Sequence, residues 1–224
     1  MDILYYIGSG SSHNNRELLY SLRSLEAHCK DIDEVWVVGN KPSFLGGVNY
    51  LWVQDDGLWW QNAFRKTLAA INAGISKEFL LMNDDFYMLK DFTAAKYPHY
   101  YKGQIPDIPK SQYQEVIVNT KRILQREGYT AKHFGVHCPM RIEGEKYKEL
   151  ERFYNDQYFD EPVSARCLYG NIFCRGVDVE DNKGTKLKNS KTGCYSSTDW
   201  VDVDTFQKLQ ALFPNKSKWE ENDI

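Results

Sequence analysis

Two adjacent carboxylates, Asp84 and Asp85, follow Asn83 and are bracketed by Leu81-Met82 and Phe86-Tyr87, which places them at the edge of an apolar core. Acids left there without a partner are costly. A hard divalent cation answers that cost: Mg²⁺ or Mn²⁺ takes one or two carboxylates and leaves its other positions to phosphate oxygens and water. The competing reading is that one of the two acids caps a turn or pairs with a lysine. A second candidate is the stretch Gly8-Ser9-Gly10-Ser11-Ser12, ahead of a helix whose first amides and dipole favour an anion such as a nucleotide phosphate. It lacks the third glycine of a G-x-G-x-x-G fingerprint, because position 13 is a histidine, and this disfavours a dinucleotide. Glu17 falls in the first turn of that helix, either at the same rim or as the acid of a capping box with Asn14.

Further along, His137 precedes Cys138-Pro139. An imidazole suits general-base work, although a histidine before such a turn is commonly a buried hydrogen-bonding group. His133 reads as the buried kind. Arg166 offers a guanidinium suited to a diphosphate, or else a solvated helix position. Arg23 and Lys66 are weaker anion contacts or plain surface charges. Trp52, Trp59 and Trp60 flank Asp55-Asp56-Gly57, a pattern that serves either to hold a sugar ring or to fill a core. Asp199-Trp200 with Asp202 and Asp204 reads as a solvated turn in preference to an acceptor contact.

Strands alternating with helices are needed to bring these groups together. Residues 2–7 form an apolar run that stops at the glycine loop, and Leu18, Leu22, Leu25 and Cys29 recur at helical spacing over 15–29, with Glu17, Ser21, Ser24 and His28 on the opposite face. A strand over 34–38 ends at Gly39-Asn40-Lys41-Pro42, and a short one follows at 48–53. A helix over 58–73 stops at Gly74, and a strand over 78–82 delivers Asn83. This order predicts an α/β fold with a mostly parallel sheet flanked by helices. Ligands then bind at the carboxyl ends of the strands, so that 8–12, 39–42 and 83–85 share one rim. Residues 91–109 carry Pro98, Gly103, Pro106 and Pro109 and read as a wrapping loop or lid. Helices over 113–126, 145–155, 163–173 and 203–213 make the C-terminal part mainly helical, around a polar stretch at 178–192.

The chain has 224 residues and a net charge of −3 from 28 Lys+Arg and 31 Asp+Glu, which argues against bulk attraction to nucleic acid or to a membrane surface. No apolar run approaches the roughly 18 residues of a membrane helix, and the N-terminus carries no basic leader. The five cysteines, Cys29, Cys138, Cys167, Cys174 and Cys194, are odd in number and form no C-x-x-C pair. They signal neither a disulfide framework nor a zinc knuckle, so a reducing cytoplasm is expected. The length suits one domain, with 1–90 as a nucleotide- and metal-binding half and 91–224 as a lid and acceptor-side half.

Three blocks carry a resemblance: Glu17-Leu18-Leu19-Tyr20-Ser21-Leu22-Arg23-Ser24, then Val35-Trp36-Val37-Val38-Gly39 with Pro42 and Asn62, then Phe79-Leu80-Leu81-Met82-Asn83-Asp84-Asp85-Phe86. They resemble the central block of the Stealth proteins, which has an E-L-R-Y-S-L-R-S helix and an N-D-D-x-F strand end. His137-Cys138-Pro139 resembles the family's H-x-P, and Arg166 stands at about the separation of its functional arginine. Phe213-Pro214-Asn215-Lys216-Ser217-Lys218-Trp219-Glu220 resembles a terminal F-P-x-K-S-x-[FW]-E phrase of bacterial and phage relatives. Leu19 departs from the pattern where the family has arginine. Stealth proteins are sugar-1-phosphate transferases, among them capsular polysaccharide polymerases.

The resemblance implies a glycosyltransferase-A-like, Rossmann-like fold and a UDP-sugar donor, for which Gly8, Ser9, Gly10, Glu17, Arg23, Asn62 and Asn83 are the candidate contacts. It further implies Mg²⁺ or Mn²⁺ at Asp84 and Asp85, with His137, Asp85 and Arg166 in catalysis. The acceptor is then a hydroxyl of a glycan or similar molecule. A glycosyltransferase releasing UDP and a non-catalytic carbohydrate-binding module stand as alternatives.

Overall fold

The computed structural model describes residues 1–11, 13–56, 58–154, 162–181, 183–188, 190–198 and 203–221. In chain order the elements are β1 (Asp2–Ile7), α1 (Arg16–His28), β2 (Val35–Gly39), β3 (Asn49–Leu51), α2 (Trp59–Asn72), β4 (Glu78–Met82) and β5 (Phe86–Met88). They continue with β6 (Tyr100–Tyr101), α3 (Gln112–Arg126), β7 (Met140–Glu143), α4 (Gly144–Lys148) and α5 (Ala165–Phe173). The last are β8 (Val177–Asp178), β9 (Lys183–Gly184), β10 (Cys194–Ser197) and α6 (Val203–Leu212).

The main sheet runs β3-β2-β1-β4-β7, parallel except for β7, which pairs antiparallel with β4. The chain steps outward from β1 to β2 and β3, then returns to the other side of β1 as β4. The order therefore reverses between β1 and β4, and their carboxyl ends frame the crevice where such sheets bind ligands. Both strands alternate between two cores. Ile3, Tyr5 and Ile7 of β1, with Leu80 and Met82 of β4, pack on the α1 side. Leu4, Phe79 and Leu81 pack on the side of α2, α3 and α5. Burial on both faces is what a central parallel strand requires, and it explains the near-continuous apolar runs.

The face of α1 expected to be polar is corrected by the structure: Ser21 and Ser24 are fully buried. Tyr5 donates to Ser21 Oγ at 3.0 Å, Ser21 donates to the Phe86 carbonyl at 2.6 Å, and Ser24 accepts from the Met88 amide at 2.9 Å. These hydroxyls satisfy the backbone of β5, which no strand among the described residues pairs on that side, as buried polar groups demand. β5 instead joins β10 and β9 in a second, three-stranded sheet that the sequence reading did not foresee.

Residues 91–109 wrap the body. Tyr97 is buried with its hydroxyl on the Thr192 carbonyl, and β6 pairs with β8. The helix expected over 145–155 is shorter and breaks into α4 and a 3-10 turn over Glu149–Phe153; Asn155 lies outside the described residues. No described helix is long and apolar enough to cross a membrane.

Candidate active site

The loop after β1 and the turn after β4 face each other across a cleft of about 420 Å³. Gly8, Gly10, Ser11 and Glu17 line one wall, Asn83, Asp84 and Asp85 the other, with His137 and Lys183 alongside. The loop is organised by Ser11, whose hydroxyl accepts from the amides of His13 and Asn15 and donates to Glu17 at 3.0 Å. The capping box expected from Asn14 and Glu17 does not form. Asn14 and Asn15 both adopt left-handed backbone (φ 55° and 58°), and Asn15, at the N-cap of α1, makes no side-chain cap bond. The Glu17 carboxylate is left at the rim of the cleft.

Asp84 has no side-chain partner among the described residues; only the backbone amides of Asp84 and Asp85 favour its charged form. Burial, with Asp85 and Glu17 beside it, pushes its carboxyl up to about 7. Burial pushes Asp85 upward as well, against the Ser196 hydroxyl, Lys183 and His137, which favour its charged form; Ser196 donates to it at 2.6 Å. Asn83 is oriented by Tyr6, whose hydroxyl donates to its Oδ1 at 2.8 Å.

His137 stands where this cleft meets a second chamber, and its Nδ1 lies 3.0 Å from both carboxylate oxygens of Asp181. Asp181 also accepts from the His137 amide at 3.3 Å and pairs with Lys102. Burial works to raise the Asp181 carboxyl, but the contacts with His137 and Lys102 outweigh it and hold the group well below the usual carboxylate range. A carboxylate on Nδ1 fixes the tautomer and steadies positive charge on the ring.

Asp181, Lys102, Lys183 and Ser196 were not singled out from sequence. Asp181 sits in a polar stretch with no local signature and meets His137 across 44 positions. The second chamber, about 130 Å³, is bounded by Trp59, Trp60, Tyr113, Tyr147 and Arg166, and shares Asn83 and His137 with the cleft.

Several expected contacts lie elsewhere. Arg23 is held by Glu220 in a two-pronged pair at 2.9 and 2.6 Å and lines neither cavity. Asn62 is buried and accepts from the Asp56 amide at 3.3 Å. Lys66 is buried under the rim on Asp55 and the Ile7 carbonyl. Ser9 is exposed and lines neither cavity, and 39–42 are absent from both walls. His133 is buried, its Nδ1 accepts from the Gly135 amide at 3.1 Å, and burial pushes its pKa down to about 4. Trp52 is solvent-exposed. Ser12, Gly57, Asp199, Trp200 and Asp202 lie outside the described residues.

The mostly parallel sheet flanked by helices is an α/β fold of the glycosyltransferase-A type, on the comparison with solved structures. An active-site mutant of LgtC has the same fold, with a TM-score of 0.54 and 13% identity over 97% of this chain and 98% of that one. A second LgtC structure, described as a galactosyltransferase in complex with donor and acceptor sugar analogues, gives 0.47 at 12% identity over 97% and 98%. Mouse xyloside xylosyltransferase 1 gives 0.45 at 7% identity over 80% and 85%. No protein-family profile and no curated protein sequence matches the chain.

Proposed function

We propose that the protein is a metal-dependent, nucleotide-sugar-using transferase whose donor lies in the cleft between the 8–11 loop and Asn83, Asp84 and Asp85. One observation carries this reading. Two half-buried carboxylates, one without a side-chain partner among the described residues, stand at the β1/β4 switch point opposite a glycine-rich loop with room for a diphosphate. The donor set is hard oxygen and fits Mg²⁺ or Mn²⁺. The described residues hold no group of three His, Cys, Asp or Glu side chains that could bind a metal. Two protein ligands suit a cation that shares its remaining positions with phosphate and water. Bound there, the cation would offset negative charge on the departing phosphate.

The chain's own residues divide the remaining work. Gly8 and Gly10 leave the backbone open to the donor, and Asn83, held by Tyr6, adds a polar contact. His137 takes the proton of the acceptor hydroxyl, with Asp181 fixing the imidazole. Arg166 supplies positive charge on the chamber side of that boundary.

The resemblance to Stealth proteins supports the finer reading, transfer of a hexose-1-phosphate from a UDP-linked hexose or N-acetylhexosamine. The acceptor oxygen then bonds to the β-phosphorus, the bond from that phosphorus to the bridging oxygen breaks, and UMP departs with the electron pair. The fold shared with LgtC supports the other reading, in which the oxygen attacks the anomeric carbon and UDP departs. A thermal-shift panel of nucleotide-sugars with and without Mn²⁺, followed by product analysis, separates these. UMP marks phosphosugar transfer and UDP marks glycosyl transfer. If no nucleotide raises the melting temperature even with Mn²⁺, a carbohydrate-binding module becomes the better account.

A further inference from the structure

The two cavities meet at Asn83 and His137 but differ in chemistry. The cleft carries three carboxylates, Glu17, Asp84 and Asp85, against the single lysine Lys183. The chamber is walled mainly by aromatic and apolar groups, with Arg166 as its cation and no carboxylate among the described residues that line it. Arg166 Nη2 donates to the carbonyls of Val136 and Cys138 at 3.2 and 2.6 Å. Its Nε and Nη1 are buried and find no acceptor among the described residues. A buried charged donor left in this state is disfavoured until something supplies the acceptor.

At the chamber mouth Trp59 (47% exposed) and Tyr113 (38% exposed) stack at 5.7 Å and 23°. Trp60 stands perpendicular to Trp59 at 5.4 Å. The result is an aromatic ledge facing solvent beside an interior that holds the Arg166 guanidinium.

We infer that this chamber is the acceptor subsite and that it takes a sugar ring bearing an acidic group, a carboxylate or a phosphate; the inference rests on the transferase reading above. Its volume lies below the roughly 300–1,000 Å³ of cavities that enclose a whole small molecule. It therefore holds one ring, and the remainder of a longer acceptor lies along Trp59 and Tyr113. The hydroxyls of an uncharged hexose offer the orphaned nitrogens of Arg166 only neutral acceptors, whereas an acidic ring supplies the stronger charge-assisted ones. A ring seated there also brings its hydroxyls against His137, which lines both cavities.

The test titrates the full chain, without nucleotide, with glucuronic acid, glucose 6-phosphate and glucose, reading tryptophan fluorescence from Trp59 and Trp60. Acidic sugars are expected to bind roughly tenfold or more tighter than glucose, and Arg166→Gln is expected to abolish that difference while UDP binding with Mn²⁺ is kept. Equal affinity for all three sugars, or no saturable response at millimolar concentration, overturns the proposal. So does an Arg166→Gln protein that loses UDP but keeps the acid preference, since its guanidinium then serves the donor. If Arg166→Gln fails to fold, Arg166→Lys, which keeps charge but changes donor geometry, must weaken the acidic sugars selectively. Failure of UDP with Mn²⁺ to raise the wild-type melting temperature strikes the transferase reading instead, and is measured separately.

Discussion

His137 and Asp181 face each other with both carboxylate oxygens 3.0 Å from Nδ1, although 44 positions separate them in the chain. The carboxylate holds the ring at the boundary of two cavities, so its loss should affect the chemical step more than binding. Asp181→Asn is expected to lower kcat roughly tenfold to a hundredfold with KM for the donor little changed. Because the Asp181 carboxyl is held low, its contribution to stability is present at neutral pH and lost as pH falls through the acid range. The variant's deficit in denaturant melts should accordingly shrink toward acid pH. Unchanged kcat would show that Asp181 does not position His137 for the chemical step.

Asp84 makes the opposite pH prediction. In the folded chain burial, with Asp85 and Glu17 beside it, pushes its carboxyl up to about 7, against 3.8 ordinarily. Between those values the folded state binds the extra proton, so this group lowers stability as pH rises from about 4 to about 7. Asp84→Asn should gain about 2 to 4 kcal/mol at pH 8 and nothing at pH 4. The same variant should lose the rise in melting temperature that UDP with Mn²⁺ gives the wild type, and should lose turnover. A flat stability difference across pH, with the metal response intact, would refute both roles.

The cleft was legible in the sequence because its two walls are strand ends. β1 and β4 are apolar runs that stop at Gly8 and Asn83, and parallel order alone puts those stops side by side. What was not legible depends on distant partners. Ser21 and Ser24 count as polar in any helical pattern, yet they are buried because Phe86 and Met88 need them. They tie the helix of one motif to the strand end of the other, holding the Asp84–Asp85 turn against α1. β7 and β10 are four residues each and become strands through β4 and β5. The Glu17 cap failed through the left-handed backbone of Asn14 and Asn15, which no residue type forces.

Arg23 was read as an anion contact, and its actual partner explains the terminal sequence phrase. Glu220 takes two bonds from Arg23 and two from Ser217, while Trp219 is buried in the core and its carbonyl accepts from Gly46. The phrase is a clasp that binds the C-terminal segment to α1. Glu220→Gln should destabilise the fold by about 3 kcal/mol, since it leaves a nearly buried guanidinium without its countercharge. Burial works to raise the Glu220 carboxyl, but the Arg23 and Ser217 contacts hold it low, so the deficit should diminish as pH falls through the acid range. Donor KM measured at a temperature where the variant is folded should match the wild type. A raised KM there would return Arg23 to the site.

Lys66 makes the strongest case for a rim built from below. Its Nζ lies 2.5 Å from Asp55 Oδ1 and 2.7 Å from the Ile7 carbonyl, the last residue of β1. At Gly39 the backbone is left-handed, with φ 115°, and a Cβ there would approach the Ile7 carbonyl oxygen to 2.0 Å and Lys66 Nζ to 3.0 Å. Lys66 thus pins the end of β1, next to Gly8, to the acidic loop before α2. Lys66→Met leaves Asp55 without its cation and frees the start of the glycine loop. It is expected to raise donor KM roughly tenfold with a smaller change in kcat. Adding Asp55→Asn should recover part of the lost stability, because the two residues are coupled. Fully additive single and double variants in denaturant melts would show that the pair does not hold the rim.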